Sequence, residues 1–389
     1  MIKWSCLIIL AYIFFKPLIC AEVYYNLDVF LTTILLFSSF SLFFKKQIKI
    51  NLLNIMVFIF LLALFASSKY SINFLKSISS LYKYLPLIIL FFAIQSMDQK
   101  RKNQLIFILL LSAILVSFYG LRSLFIGTQN VIHFLAKYKI EYPFAIEYLE
   151  RKRAFVPFAS PNLLAGYLAM IITLCIGIIF QKIYSKKYDA LFFLSLFNLI
   201  VTSVTLFLTK SLGAWISLTI TLFLFFMASK TLNKNSLLVI FLLIITFAII
   251  FSLRAGENKD FTKPLFSFYK RTCYWDETIK IIKNHPLLGV GIGNFSIEES
   301  QIAHNSYLQI WAEFGLLGLM SWLWICFIFI KKGMERVFSN NRIYCELGVF
   351  FAGLSFLIHN IVDFSFFVSQ AAFLWWILLA LNQEDLLLQ

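Results

Sequence analysis

Runs of about 20 apolar residues, the length a helix needs to carry ~30 Å of hydrocarbon, recur along this whole chain and constrain its fold more than anything else. They lie near 4–20, 28–44, 52–67, 84–97, 105–126, 159–181, 189–209, 213–229, 236–253, 306–330, 345–362 and 365–382. Hydrophobic residues make up 61% of the 389 positions and charged residues only 14%. A soluble domain of that length has no interior large enough for so much apolar surface, whereas a bilayer accepts it directly. The expected fold is an all-α polytopic membrane protein of about twelve transmembrane helices, with residues 1–389 forming one integral membrane domain.

Charge gives the expected topology. A net charge of +15 would suggest nucleic acid in a soluble protein. Here the basic clusters fall in alternate connections: Lys45/Lys46/Lys49, Lys100/Arg101/Lys102, Lys182/Lys186/Lys187, Lys230/Lys234 and Lys331/Lys332/Arg336/Arg342. The excess of Lys and Arg on the cytoplasmic side then places all five inside, with both termini cytoplasmic and no nucleic acid as partner. Lys3, the run Trp4–Phe15 and the small residues Cys20 and Ala21 imitate a signal peptide, but Lys16 and Pro17 interrupt it, so an uncleaved first helix is expected. The cysteines show neither metal-ligand spacing nor an obvious disulfide pair.

Two connections on the opposite face are too long for turns: roughly 127–158 and 254–305. Both are cationic, with Lys137, Lys139, Arg151, Lys152 and Arg153 in the first and Arg254, Lys259, Lys263, Lys270, Arg271, Lys280 and Lys283 in the second. Glu141, Glu147, Glu150, Asp260, Asp276 and Glu277 offset part of that charge, as on any solvated surface. Cations on the face that topology depletes also suit an anionic ligand.

Individual residues sharpen this. In RAFVPFASPNLLAGYLAM (153–170), Ser160 and Pro161 form a helix start, Ser160 as the cap and Pro161 where its missing N–H costs nothing. Arg153 either snorkels to lipid headgroups or grips a phosphate with its planar fork. Lys210 stands in a very short outer connection, and Arg122 and Arg254 are weaker cationic candidates. Arg271 and Trp275, four apart, would share a helix face. GVGIGNF (289–295) has neither the strand nor the crossover helix of a dinucleotide site, so its glycines read as tight turns. His285, before Pro286, reads as a loop-structuring residue. His304 stands before Asn305 and Ser306 at the start of the tenth apolar run, either as a polar cap or as a base, since unperturbed imidazole titrates near neutral pH. Asp363, in H-N-x-x-D-F from His359, could pair with an arginine.

The spacing R-x-F-x-x-F-x-S-P-N from Arg153, R-x-x-x-W from Arg271, NHPLLGVGIGNF, and A-H-N-S-Y-L-Q-I-x-x-E-x-G-L-L-G resembles the O-antigen ligase and polymerase superfamily over about 150–365. The resemblance implies a membrane glycosyltransferase in the bacterial inner membrane, its active site facing the periplasm. Its implied donor is a glycan on undecaprenyl diphosphate, and its implied acceptor a hydroxyl of the lipid A-core or another glycan. His304, Arg153 and Arg271 would be catalytic, with Lys210, Asn305, Glu313, Arg254, Asn162 and Asp363 binding substrate or supporting those that do. The family arginine after the serine in T-x-S-R-G-A is Leu212 here, which Lys210 could replace. No Asp-x-Asp motif or carboxylate cluster suggests Mg²⁺, so no cofactor is expected and cations would hold the diphosphate. A polymerase, a protein glycosyltransferase, or a transporter or flippase are the rival readings. A transporter would place its charges near mid-membrane rather than gathered at one face.

Overall fold

The protein is described from a computed structural model that covers residues 2–20, 24–43, 51–125, 148, 151–257, 266–340 and 343–383. Lys45, Lys46, Lys49, Lys137, Lys139, Glu141, Glu147, Glu150, Lys259, Asp260, Lys263 and Arg342 lie outside the described residues. The described chain is helical, with no strand beyond an isolated bridge between Ile297 and Ser300. In chain order the helices are α1 (Ile2–Phe15), α2 (Tyr25–Phe43), α3 (Leu52–Lys69), α4 (Phe74–Leu81), α5 (Leu85–Gln95), α6 (Gln99–Phe125) and α7 (Pro161–Tyr184). Then come α8 (Ala190–Thr209), α9 (Leu212–Ala228), α10 (Lys234–Glu257), α11 (Phe266–Asn284), α12 (Ser306–Val337), α13 (Tyr344–His359) and α14 (Ser369–Leu381).

Among the described residues, seven segments are long and apolar enough to cross a membrane: Leu52–Lys69, Phe74–Gln95, Gln99–Leu124, Pro161–Tyr184, Ala190–Thr209, Lys234–Arg254 and Ser306–Phe338. Trp4–Leu18, Tyr25–Ser39, Leu212–Ala228, Tyr344–His359 and Ser369–Leu381 are apolar but shorter, at 10–17 residues. Lys16 and Pro17 form a short 3₁₀ turn, where buried Lys16 pairs with buried Asp28 of α2.

The helices surround α7, of whose apolar window 89% is buried within the protein, against 17% for α10 at the periphery. Helix α7 packs on α8, α9 and α13; α3 packs on α12, α5 on α14, α1 on α2 and α6, and α10 chiefly on α9. Between α7 and α13 the backbones nearly touch: a Cβ at Gly177 would stand 2.4 Å from the Gly348 Cα.

Where the helices differ from the apolar runs, the causes are polar. The run expected at 84–97 extends back through α4, which Asn73 starts by accepting a hydrogen bond from the Lys76 amide. The run expected at 345–362 ends at His359 because Asn360 bonds elsewhere: its Oδ1 accepts from the Ser306 hydroxyl and the Phe366 amide. Ser160 caps α7 as expected, its hydroxyl accepting from the Leu163 amide with Pro161 in the first turn.

Candidate functional site

The site begins with a break in α12. Gly315 interrupts the helix at φ 71°, ψ −172°, a conformation that L side chains avoid. The loop after α11 closes over the break: the Val290 amide donates to the Ala312 carbonyl (2.8 Å), the Gly291 amide to that of Glu313 (3.0 Å), and the Leu316 amide to that of Pro286 (2.9 Å). Backbone groups freed by the break are thereby paired, which buried peptide groups require. The approach is so close that a Cβ on Gly315 would lie 2.1 Å from the Leu287 carbonyl oxygen. Gly289, Gly291 and Gly293 all have positive φ, so the GVGIGNF glycines form the tight turns expected of them. The side chain of His285 is exposed, while its carbonyl accepts the Gly289 amide (3.1 Å).

The Glu313 carboxylate faces this loop. Its Oε2 accepts the Gly293 amide (2.6 Å) and its Oε1 accepts the Gln309 side chain (2.9 Å). A small apolar cluster of Ile282, Phe295, Ala303 and Ala312 fastens the same loop to α11, α12 and the residue before His304.

His304 lies just before α12, outside the span, with φ 52°. A left-handed conformation in a residue other than glycine costs about 1–3 kcal/mol and persists only where its surroundings impose it. The neighbours supply that constraint. Asn305 caps α12 by accepting the Leu308 amide, Ser306 N–H donates to the Asn360 carbonyl (3.0 Å), and the Ser306 hydroxyl donates to Asn360 Oδ1 (2.6 Å). Tyr274 of α11 stacks on the imidazole (centroids 5.9 Å apart, planes at 22°), and Phe364 meets it edge-on at 5.4 Å. Nδ1 of His304 is buried with no hydrogen-bond partner among the described residues. Burial first, and then the Arg271 guanidinium, push this imidazole down to about 4 against an opposing pull from Asp363. At neutral pH His304 is therefore uncharged and able to accept a proton.

A second chain of contacts connects the SPN segment to the turn after α13. Arg153 donates from Nε to the Thr209 carbonyl (2.9 Å), and its Nη2 lies 3.4 Å from Asn162 Oδ1, which also accepts the Ser211 hydroxyl (2.9 Å). The Asn162 carbonyl is 3.2 Å from His359 Nε2, which lies 2.9 Å from Asp363 Oδ2. Ser365 donates to the same carboxylate oxygen (2.8 Å), while Asp363 Oδ1 is buried without a partner among the described residues. Burial works to raise the Asp363 carboxyl, but the charge and hydrogen bond of His359, then Arg271 and His304, outweigh it and hold it at about 2. His359 fits between helices because Gly166 leaves room; a Cβ there would stand 2.6 Å from its Cδ2.

Tyr148 connects the two arginines. The Arg153 guanidinium stands 5.5 Å from its ring centroid, and Tyr148 acts with Asp363 to favour the Arg271 charge against burial. Arg153, Asn162, Arg271, His304 and Asp363 therefore belong to one electrostatically coupled group drawn from α7, α11 and the turns before α12 and after α13. Lys210 caps α8 in a left-handed conformation, and its Nζ donates to the Arg151 carbonyl (2.8 Å), two residues before Arg153. Arg254 sits in the last turn of peripheral α10. The Arg122 side chain, near the end of α6, is exposed.

Sequence reasoning gave no role to Tyr148, Tyr274 and Gln309, and read Ser306 only as part of the start of α12. Gln309 alone had a local signal, standing four residues before Glu313 on one helix face. Chemically, the group offers two guanidinium groups, a neutral imidazole and a carboxylate oxygen without a partner among the described residues, an arrangement suited to an anion beside a hydroxyl that must lose its proton.

No curated protein matches the chain. Residues 197–323 match the family described as O-antigen ligase, a stretch that runs from α8 into α12 and includes Lys210, Arg271, His304 and Glu313, with Arg153 and Asp363 beyond it on either side. That match supports the resemblance to the O-antigen ligase and polymerase superfamily, whose members are membrane glycosyltransferase-like enzymes.

Proposed function

We propose that this protein is an O-antigen ligase-like glycosyltransferase of the bacterial inner membrane, with twelve crossings, cytoplasmic termini and an active site open to the periplasm. It moves a glycan from undecaprenyl diphosphate to an acceptor hydroxyl such as one of the lipid A-core. The observation that carries this reading is the convergence of Arg271, Asp363 and His304, whose imidazole is kept uncharged and whose Nδ1 has no partner among the described residues.

His304 takes the proton of the acceptor hydroxyl as its oxygen attacks the anomeric carbon from the face opposite the diphosphate. The bond from that carbon to the phosphate oxygen breaks, and the electron pair leaves with the diphosphate. One displacement inverts the anomeric configuration. Arg153 and Arg271 stabilise the departing charge, which grows only as the bond breaks, so their attraction acts on the transition state more than on the bound donor. Asn162 orients Arg153 through Oδ1, and Asp363 balances Arg271 when no substrate is bound. Lys210 supports the Arg151–Arg153 segment through the Arg151 carbonyl.

The test is transfer by the purified protein from a synthetic lipid diphosphate donor, comparing His304→Ala with the parent chain. General-base removal is expected to lower kcat by about 10²- to 10⁴-fold. Full turnover by the variant would remove His304 from the chemistry. Product analysis separates acceptors, since a polymer formed without lipid A-core indicates polymerase activity. Glycan movement across vesicles without transfer would indicate a transporter.

A further inference from the structure

We infer that Gln309 is a positioning residue for His304, acting through the backbone and joining the glycine loop to the proposed base; this rests on the reading of His304 given above. The buried Ala303 amide, immediately before His304, donates to Gln309 Oε1 at 3.1 Å. The other end of the same side chain, Nε2, donates to Glu313 Oε1 at 2.9 Å. Glu313 is fixed in turn, its Oε2 by the Gly293 amide and its carbonyl by the Gly291 amide and the Ser67 hydroxyl (2.6 Å). A continuous series of hydrogen bonds thus runs from the GVGIGNF loop and the Gly315 break to the peptide that sets where His304 begins.

The position of the amide explains why this peptide needs holding. His304 has φ 52°, and Asn305 and Ser306 fix only the residues after it. Without Gln309 nothing else described pairs the Ala303 N–H, and a buried donor without a partner drives local rearrangement. Rotation about that peptide would swing the imidazole off Tyr274 and away from Arg271. Gln309 is 4% exposed and Ala303 0%, so water cannot readily replace the lost bond. Gln309 meets no reacting atom in this scheme. Its amide has both a donor and an acceptor, and each is needed: an acceptor for Ala303, a donor for Glu313.

The test is Gln309→Met, which keeps the length and volume but removes both hydrogen bonds, measured beside His304→Ala. A misplacement near 1 Å costs about 10²-fold in rate, so kcat should fall about 10- to 100-fold. The donor KM should stay within about threefold, because Arg153 and Arg271 are untouched. Gln309→Glu is the second variant: it keeps the acceptor for Ala303 but sets a carboxylate against Glu313, and its loss of kcat should ease as pH falls and one of the pair takes a proton. Full kcat in Gln309→Met with an inactive His304→Ala would overturn the positioning role alone. Full turnover in His304→Ala would overturn the base and this inference with it. A Gln309→Met protein whose kcat, donor KM and thermal midpoint all fail together would show a purely structural residue and would also overturn the inference.

Discussion

Arg271→Gln tests the electrostatics of the site most directly, because one charge acts on two groups with calculable signs. In the free protein burial and Arg271 together hold His304 at about 4, well below the ordinary imidazole range, with burial the larger cause and Asp363 opposing both. Removing the guanidinium leaves burial and Asp363 in place, so the imidazole should rise from about 4 and bind its proton more tightly. Asp363 loses a favourable cation as well, so its carboxyl should rise from about 2. Two measurements report this. ¹⁵N NMR of histidine side chains in detergent follows His304 directly, and the acid limb of kcat/KM against pH follows it in catalysis, moving to higher pH. At pH 7 His304 stays uncharged in both proteins. Loss of rate at that pH therefore measures the missing diphosphate cation, expected at about 10²-fold or more by analogy with removal of one transition-state donor. An imidazole titration that stays put or moves down would refute the proposed proximity of Arg271 to His304.

Other substitutions have equally definite expectations. Asp363→Asn removes the group that raises His304, so the same acid limb should move to lower pH, opposite in sign to Arg271→Gln. Because His304 binds its proton less tightly folded than unfolded, thermal stability should fall as pH drops from about 6.5 towards 4, and His304→Ala should lack that slope. Gly315→Ala sets a Cβ 2.1 Å from the Leu287 carbonyl oxygen at a strained φ, and should cost about 3 kcal/mol or more, read as a lower thermal midpoint; an unchanged midpoint would contradict the stitched break. Gly166→Ala presses on His359 and should weaken its pairing with Asp363, lowering transfer at neutral pH more than it lowers stability.

Much of the fold was legible because its signals are local. Apolar length marks a helix that can span hydrocarbon, and Ser160 before Pro161 or Asn305 before α12 announces a helix start within a few residues. The residues of the island around Arg271 and His304 were legible for the same reason, since a polar cluster stands out against so apolar a chain. The division of helices was less legible. Asn360 ends α13 by bonding Ser306, 54 positions away, and Gly315 breaks α12 without altering its apolar pattern.

The sequence by itself therefore determined an all-helical membrane protein with its polar chemistry gathered in a few connections. Only tertiary structure decided that Glu313 turns to the glycine loop, that His359 holds Asp363 beside Arg271, and that Tyr148 connects two arginines. Those partners lie as far apart in sequence as Asn162 and His359, 197 positions. Hydrophobic periodicity says which face of a helix is buried but not which neighbour buries it. That choice depends on close approaches such as the Gly177 and Gly348 backbones meeting and the His359 ring fitting against Gly166.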